Sequence, residues 1–228
     1  MYNGAIRFAS DYDGPMARRA PRYAEAERND RALLEAARKV LAMDGAHASV
    51  AAIAARAGVG IASLYRRYRT KEELFQHLCA LSLGQWIQAA EEGLAQDDPW
   101  EGLVHYVTAA IEFSAGALGP LAGTIEITDE MAAKFTRSDE LTRALVDRAH
   151  EAGVLRADAT TVDISLLVEQ LGKSSLVEQF ETQGRTDLAE AAANARHRVI
   201  AIALDGLRAG HGSLPGSPPG PDLLAERW

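Results

Sequence analysis

Residues 49–71 read SVAAIAARAGVGIASLYRRYRTK, and the fold is decided by how this stretch divides. Ser49 is placed to cap a helix, because its hydroxyl can accept an N–H two or three residues on. Val50, Ile53, Ala54 and Ala57 then fall at i, i+3, i+4 and i+7, a single buried face. Gly58 ends that helix, since a left-handed residue there is cheap only for glycine. Val59 and Gly60 make the turn, and Ile61 to Tyr68 fits two further turns of helix carrying Ser63, Tyr65, Arg66 and Arg67. Two short helices joined by a tight glycine turn form a helix-turn-helix, whose second helix is built to enter the major groove of DNA.

Outward from this unit the chain reads as helix throughout. A first helix, expected from Asn29 or Asp30 to Gly45, presents Leu33, Leu34, Ala37, Val40 and Leu41 on one face. Thr70 and Glu73 form a capping box for a long fourth helix reaching about Ala95. Asp98 followed by Pro99 opens a fifth, which Gly116 or Gly119–Pro120 is expected to stop. Residues 121–137, rich in β-branched side chains, are expected to hold a short helix and a loop, with Ser138 capping the next helix to Ala152. Thr160 and Asp163 open a helix to Phe180, and a last one spans about Thr186 to Ala209. Gly172, Ser174, Ala192 and Ala195 are small enough for close helix approach in a dimer contact, although the same faces could complete the protomer core.

The expected fold class is all-α, a three-helix head over residues 29–72 followed by a larger helical regulatory and dimerisation domain over 73–209. Residues 1–28 hold Gly14, Pro15 and Pro21 and are expected to be a flexible arm. Its Arg18, Arg19 and Arg22 could reach a minor groove or phosphate, or belong to a plain disordered leader. The tail, 210–228, begins GHGSLPGSPPGP and is expected to be disordered.

Composition narrows the classes. The 228 residues carry a formal charge of −8, but residues 16–71 are at +7 and residues 72–228 at −14. A basic head joined to an acidic body suits a protein that meets phosphate with one part only. No apolar run reaches the roughly 18–20 residues that span a bilayer, and residues 1–30 lack the apolar block of a secretory signal. Cys79 is the only cysteine, so an intrachain disulfide is excluded and a cytoplasmic home with no membrane association is expected. No paired Glu-x-x-His, HExxH, GxSxG, phosphate loop or dinucleotide fingerprint occurs. Asp147 and His150 lie one helical turn apart, which is weak as a metal pair. An enzyme is therefore the weaker class, and no metal or cofactor is expected.

Residues 36–75, AARKVLAMDGAHASVAAIAARAGVGIASLYRRYRTKEELF, resemble the TetR family of transcriptional regulators. The resemblance rests on Gly45, Ser49, Ala57–Gly58, Leu64–Tyr65–Arg66–Arg67–Tyr68 and Lys71–Glu72 at their spacing. Around DPW (98–100) and AGVLRAD (152–158) the chain is faintly similar to the SbtR-like subset. Two positions depart from the pattern: Gly60 stands where a capping serine is usual, and Ala62 where a glycine often allows close approach to the groove.

The resemblance implies a repressor that binds double-stranded, palindromic operator DNA as a homodimer and is released by a small-molecule effector. It also implies that Ser49, Tyr65 and Lys71 grip phosphates, which position the protein without reading sequence. Arg66 and Arg67 are candidates either for guanine readout or for phosphate. Ile61 and Ala62 are placed against thymine methyls, with Ser63 on the same helix, while Leu64 and Tyr68 are packing residues. Trp86, His105, Tyr106, Phe113 and Phe135 are candidate lining of an effector pocket, although aromatics at helical spacing more often pack in a core. An alternative is a regulator controlled by a partner protein and having no chemical ligand.

Overall fold

The computed structural model describes residues 19–114, 118, 121, 123–172 and 176–220. Among them the helices are α1 (Arg19–Asp44), α2 (Val50–Ala57), α3 (Ile61–Arg67), α4 (Lys71–Leu94), α5 (Pro99–Ser114), α6 (Asp129–Glu151), α7 (Thr161–Gly172), α8 (Leu176–Thr182) and α9 (Ala189–Leu207). No β-strand is present among the described residues, and none of their helices is long and apolar enough to cross a membrane.

Local chemistry sets most boundaries. Ser49 Oγ accepts from Ala52 N at 3.0 Å, and Gly58 closes α2 at φ 68°. Thr70 Oγ1 accepts from Glu73 N at 3.0 Å, and Glu73 Oε2 accepts in return from Arg69 N at 2.6 Å. Asp98 Oδ1 accepts from Trp100 N and Glu101 N, and Thr160 and Asp163 exchange bonds in the same manner at α7. Each cap satisfies N–H groups that the first turn of a helix leaves without partners.

The apolar side chains form two cores. One joins α1, α2, α3 and the start of α4 through Leu33, Leu41, Ile53, Leu64, Leu74 and Leu78. The other joins the end of α4 to α5, α6, α7 and α9 through Leu103, Ile111, Leu145, Ile164 and Leu204. α4 belongs to both, so the boundary expected at residue 72 does not separate two cores. Leu118, Leu121 and Met131, from the body, are buried in the head core. Hydrogen bonds also join α4 to the body: Gln76 Nε2 donates to Glu126 O at 3.0 Å, Glu126 N to Glu72 Oε1 at 3.0 Å, and Lys134 Nζ to Ala80 O at 3.1 Å.

Two expectations need correction. Residues 19–28 of the expected flexible arm are helical, because Ala20, Ala24 and Ala26 among charged residues favour helix and α1 has no stop before Asp44. The helix expected to start at Ser138 starts at Asp129, since Thr128 Oγ1 accepts from Met131 N and Asp129 and Glu130 favour a first turn. The helix expected from 162 to 180 is described on either side of residues 173–175, as α7 and α8. Gly172 and Ala192 are buried within the protomer; Ser174 and the stop expected near Gly116 to Pro120 lie outside the described residues.

The start of the tail is also held in place. Leu155 pairs with Arg208 in an antiparallel bridge, and Arg156 N donates to Leu207 O at 2.9 Å. The buried Arg156 guanidinium binds Asp158, Gly206 O and Gly212 O, while Leu214 N donates to Asp158 Oδ2 at 2.6 Å. Residues 210–214 therefore gain partners that their Gly-, Ser- and Pro-rich composition does not reveal, a third correction, to the disorder expected of the tail.

Candidate nucleic-acid interface

The surface of α3 is built by a division between its faces. Leu64 and the residue that ends the helix, Tyr68, are buried at 3% and 6% exposure and fix α3 to the head core. Ile61 and Tyr65, one turn apart, are exposed at 43% and 53%, and Ala62, Ser63, Arg66 and Arg67 are exposed beside them. Gly60 gives α3 no side-chain cap; its carbonyl accepts from Ser63 N at 2.8 Å instead. The lone exposed aromatic of this surface, Tyr65, sits next to two guanidinium groups.

The expected contact residues do not share one environment. Ser49 is exposed, but its Oγ is already used in capping α2. Arg66 Nη2 donates to Ser63 Oγ at 2.7 Å and so lies back along its own helix. Arg67 is turned to α1, where Nη1 and Nη2 meet Asp30 Oδ1 and Oδ2 at 2.5 and 2.9 Å. That pairing and the stacking of the guanidinium over the Tyr68 ring, 5.2 Å from its centroid, make Arg67 a strut between α1 and α3. Lys71 opens α4, with Nζ 5.1 Å from the centroid of the Phe75 ring.

Behind Arg67 the pair continues into the core. His77 Nε2 is 3.6 Å from Asp30 Oδ2, and its ring is 5.2 Å from that of Tyr68. Burial pushes the Tyr68 phenol up to about 12 and holds His77 below the usual imidazole range. Sequence reasoning missed Asp30. Its signal was available as an acid at the start of the apolar stripe of a basic head, but only folding shows which arginine it meets.

The five residues expected to line a pocket scatter. Trp86 and Tyr106 meet edge-on at 6.5 Å, and Phe113 faces Arg38. Tyr106 is buried, and its hydroxyl is 2.8 Å from Thr142 Oγ1. His105 lies instead on the outer face of α5, 3.1 Å from Glu92 and bordering an open groove of about 440 Å³. Phe135 packs on the head core. His105 therefore meets Glu92 and Phe135 meets the head core, apart from the Trp86–Tyr106 pair. A second open concavity, about 650 Å³, lies between the α6–α7 turn and the start of the tail, lined by His150, Arg156, Asp158 and His211.

A capped short helix, a glycine turn and a second helix with an exposed aromatic and basic face define a helix-turn-helix DNA-binding transcriptional regulator. Residues 33–78 match the model of the bacterial regulatory proteins of the tetR family. Solved structures show the same fold. A TetR transcriptional regulator, SCO0520 from Streptomyces coelicolor, is 23% identical with a TM-score of 0.55, over 80% of this chain and 99% of that one. A TetR regulatory protein from Mycobacterium vanbaalenii is 24% identical with a TM-score of 0.54, over 82% and 99%. A TetR family regulator from Marinobacter aquaeolei VT8 is 21% identical with a TM-score of 0.51, over 82% and 99%. No curated protein matches.

Proposed function

We propose that the chain is a homodimeric repressor that places α3 in the major groove of a palindromic operator and leaves it when a small molecule binds the helical body. The observation that supports this reading best is the outward face of α3, where Ile61, Tyr65 and Arg66 are exposed on a helix whose inner face is anchored. Tyr65 and Lys71 grip phosphate in this reading, and Arg66, released from Ser63, reads a base. Ser49 contributes through the end of α2, Ile61, Ala62 and Ser63 supply close contacts to base edges, and Arg67 acts by holding α3 against α1.

Dimerisation follows from area and spacing. One helix-turn-helix covers too little DNA to find a site in a genome, and two on a pair of half-sites cover enough. Leu176 of α8 and Val199 and Ile202 of α9 are exposed at 45%, 50% and 67% and give the second copy an apolar face. Effector control draws on the junction of the two cores: α4 is continuous from the head to the body, so a shift at one end moves the other. We place the protein in the cytoplasm and assign it no enzymatic step.

Selecting bound oligonucleotides from a random pool tests the reading. An inverted repeat with half-sites about one helical turn apart, or a multiple of it, is expected. Recovery of no enriched sequence at low salt overturns it.

A further inference from the structure

α4 passes from one core to the other through a stretch that neither fully buries. Every residue from Leu81 to Ile87 is only half-buried, between the fully buried Ala80 on the head side and Ala89 on the body side. A Cβ placed on Gly84 would meet nothing within 4 Å. Ser82, Gln85 and Trp86 share one face of the helix there, at i, i+3 and i+4.

Arg38 reaches this stretch from α1. It occupies the apolar stripe of that helix, with Leu34, Ala37 and Leu41, and is 5% exposed. Nη2 donates to Ser82 Oγ at 3.1 Å and to Gln85 Oε1 at 2.8 Å, while Nε is buried without a partner. Cζ is 6.0 Å from the centroid of the Phe113 ring. All three neighbours are neutral, and the acid that acts on Arg38, Glu35, is exposed on α1 and makes no ion pair with it. A guanidinium carries five N–H donors and a charge that cannot be shed, so two neutral hydrogen bonds leave its burial poorly compensated. Burial accordingly pulls its pKa below the usual value.

We infer that Arg38 is the anchor of a binding site for a small-molecule carboxylate, whose apolar part lies along Trp86 and Phe113. The planar fork of the guanidinium matches a carboxylate in two parallel hydrogen bonds and supplies the missing counter-charge. Ser82 and Gln85 then hold the fork in orientation. On the effector reading above, on which this identification of the ligand as effector rests, the site has a direct route to the DNA surface. Arg38 and Asp30 lie on the same helix, and Asp30 holds Arg67 of α3. A carboxylate bound to Arg38 therefore acts on α1 and α4 together, and changes DNA affinity to the extent that it prefers one arrangement of the two.

The test uses the full chain and three probes, benzoate, 4-phenylbutyrate and decanoate, each beside its primary amide. Melting curves and titrations are recorded for the native protein and for two neutral variants, R38M and R38Q. At least one carboxylate is expected to raise the melting temperature of the native protein where its amide does not. In the neutral variants its binding is expected to fall by about tenfold or more, the loss of one charge-assisted contact. Without ligand, R38M is expected to melt no lower than the native protein, because an unpaired buried charge has been removed.

The inference is overturned if no carboxylate outperforms its amide, if the neutral variants bind the carboxylate as well as native, or if ligand-free R38M melts lower, which makes Arg38 a structural strut. A parallel gel shift with the selected operator separates the two readings. A carboxylate that binds through Arg38 and leaves DNA affinity unchanged keeps the site and removes the effector role. An amide that releases DNA from native and R38M alike keeps the effector role and removes the site.

Discussion

Arg67 and Asp30, 37 residues apart in the chain, form a two-pronged ion pair that ties α3 to α1, with N–O distances of 2.5 and 2.9 Å. The Asp30 side chain is 15% exposed and that of Arg67 42%, so water screens the pair on one side only. Hydrogen bonding to Asp30 raises the pKa of Arg67 above its usual value, as expected for a guanidinium held by a carboxylate. A residue type suited to reading bases is here committed to positioning the helix that we propose reads them.

Replacing Asp30 with Asn separates these roles. The head should lose about 0.5–1 kcal/mol in urea unfolding, the range of a partly exposed pair. Removing a negative charge beside α3 should at the same time strengthen binding to unrelated DNA at low salt, seen by gel shift. If binding weakens uniformly instead, the ion pair sets the pose of α3 and not only its charge.

Contacts on the DNA surface should divide by chemistry. Tyr65→Phe and Lys71→Ala are expected to weaken binding evenly across sequences, with Lys71→Ala reducing the salt slope by about 1. Arg66→Ala should relax preference at one base position, at a cost of about 1–3 kcal/mol for the preferred base. A salt slope untouched by Lys71→Ala would remove its assigned phosphate role.

α4 and α5 cross at Gly93 and Gly102. A Cβ on Gly93 would stand 2.6 Å from the backbone oxygen of Gly102, and a Cβ on Gly102 would collide with Gly93 O in turn. Backbone cannot yield as a side chain end can, so Gly93→Ala should destabilise the protein by about 1–3 kcal/mol in urea or thermal unfolding. Gly84→Ala, in the same helix with open space around it, serves as the control and should not destabilise.

Ile202→Glu places a charge on the apolar face of α9. Self-association should weaken by about 2 kcal/mol, roughly thirtyfold, in sedimentation at micromolar concentration. Operator affinity should fall with it, while the melting of the diluted protomer stays close to native because the side chain is 67% exposed.

The tail contact should titrate. The Arg156 guanidinium and then the Leu214 N–H hold the Asp158 carboxyl down to about 2. A carboxyl depressed in the folded state stabilises it fully above its unfolded pKa of about 4, and that contribution fades as pH falls towards 2. Acid melting curves of Asp158→Asn should lack this component and converge on the native curve at the lowest pH.

Much of this molecule is written in local sequence. The caps at Ser49, Thr70, Asp98 and Thr160, the left-handed Gly58 and the stripe on α1 follow from near neighbours, because a helix start or stop is settled within four residues. The basic head and the exposed face of α3 were legible for the same reason. Ser138 suits a cap, but Thr128, followed by the acids at 129 and 130, starts the helix ten residues earlier.

Tertiary structure alone decided which side chains meet. Arg67 binds Asp30, Arg38 lies buried against Ser82 and Gln85, and Arg156 gathers the start of the tail, across separations of 37, 44, 47 and 56 residues. Helical periodicity tells which face a residue occupies, but not which other helix covers that face. That depends on how α4 is shared between the two cores, and hence on the packing of the whole chain.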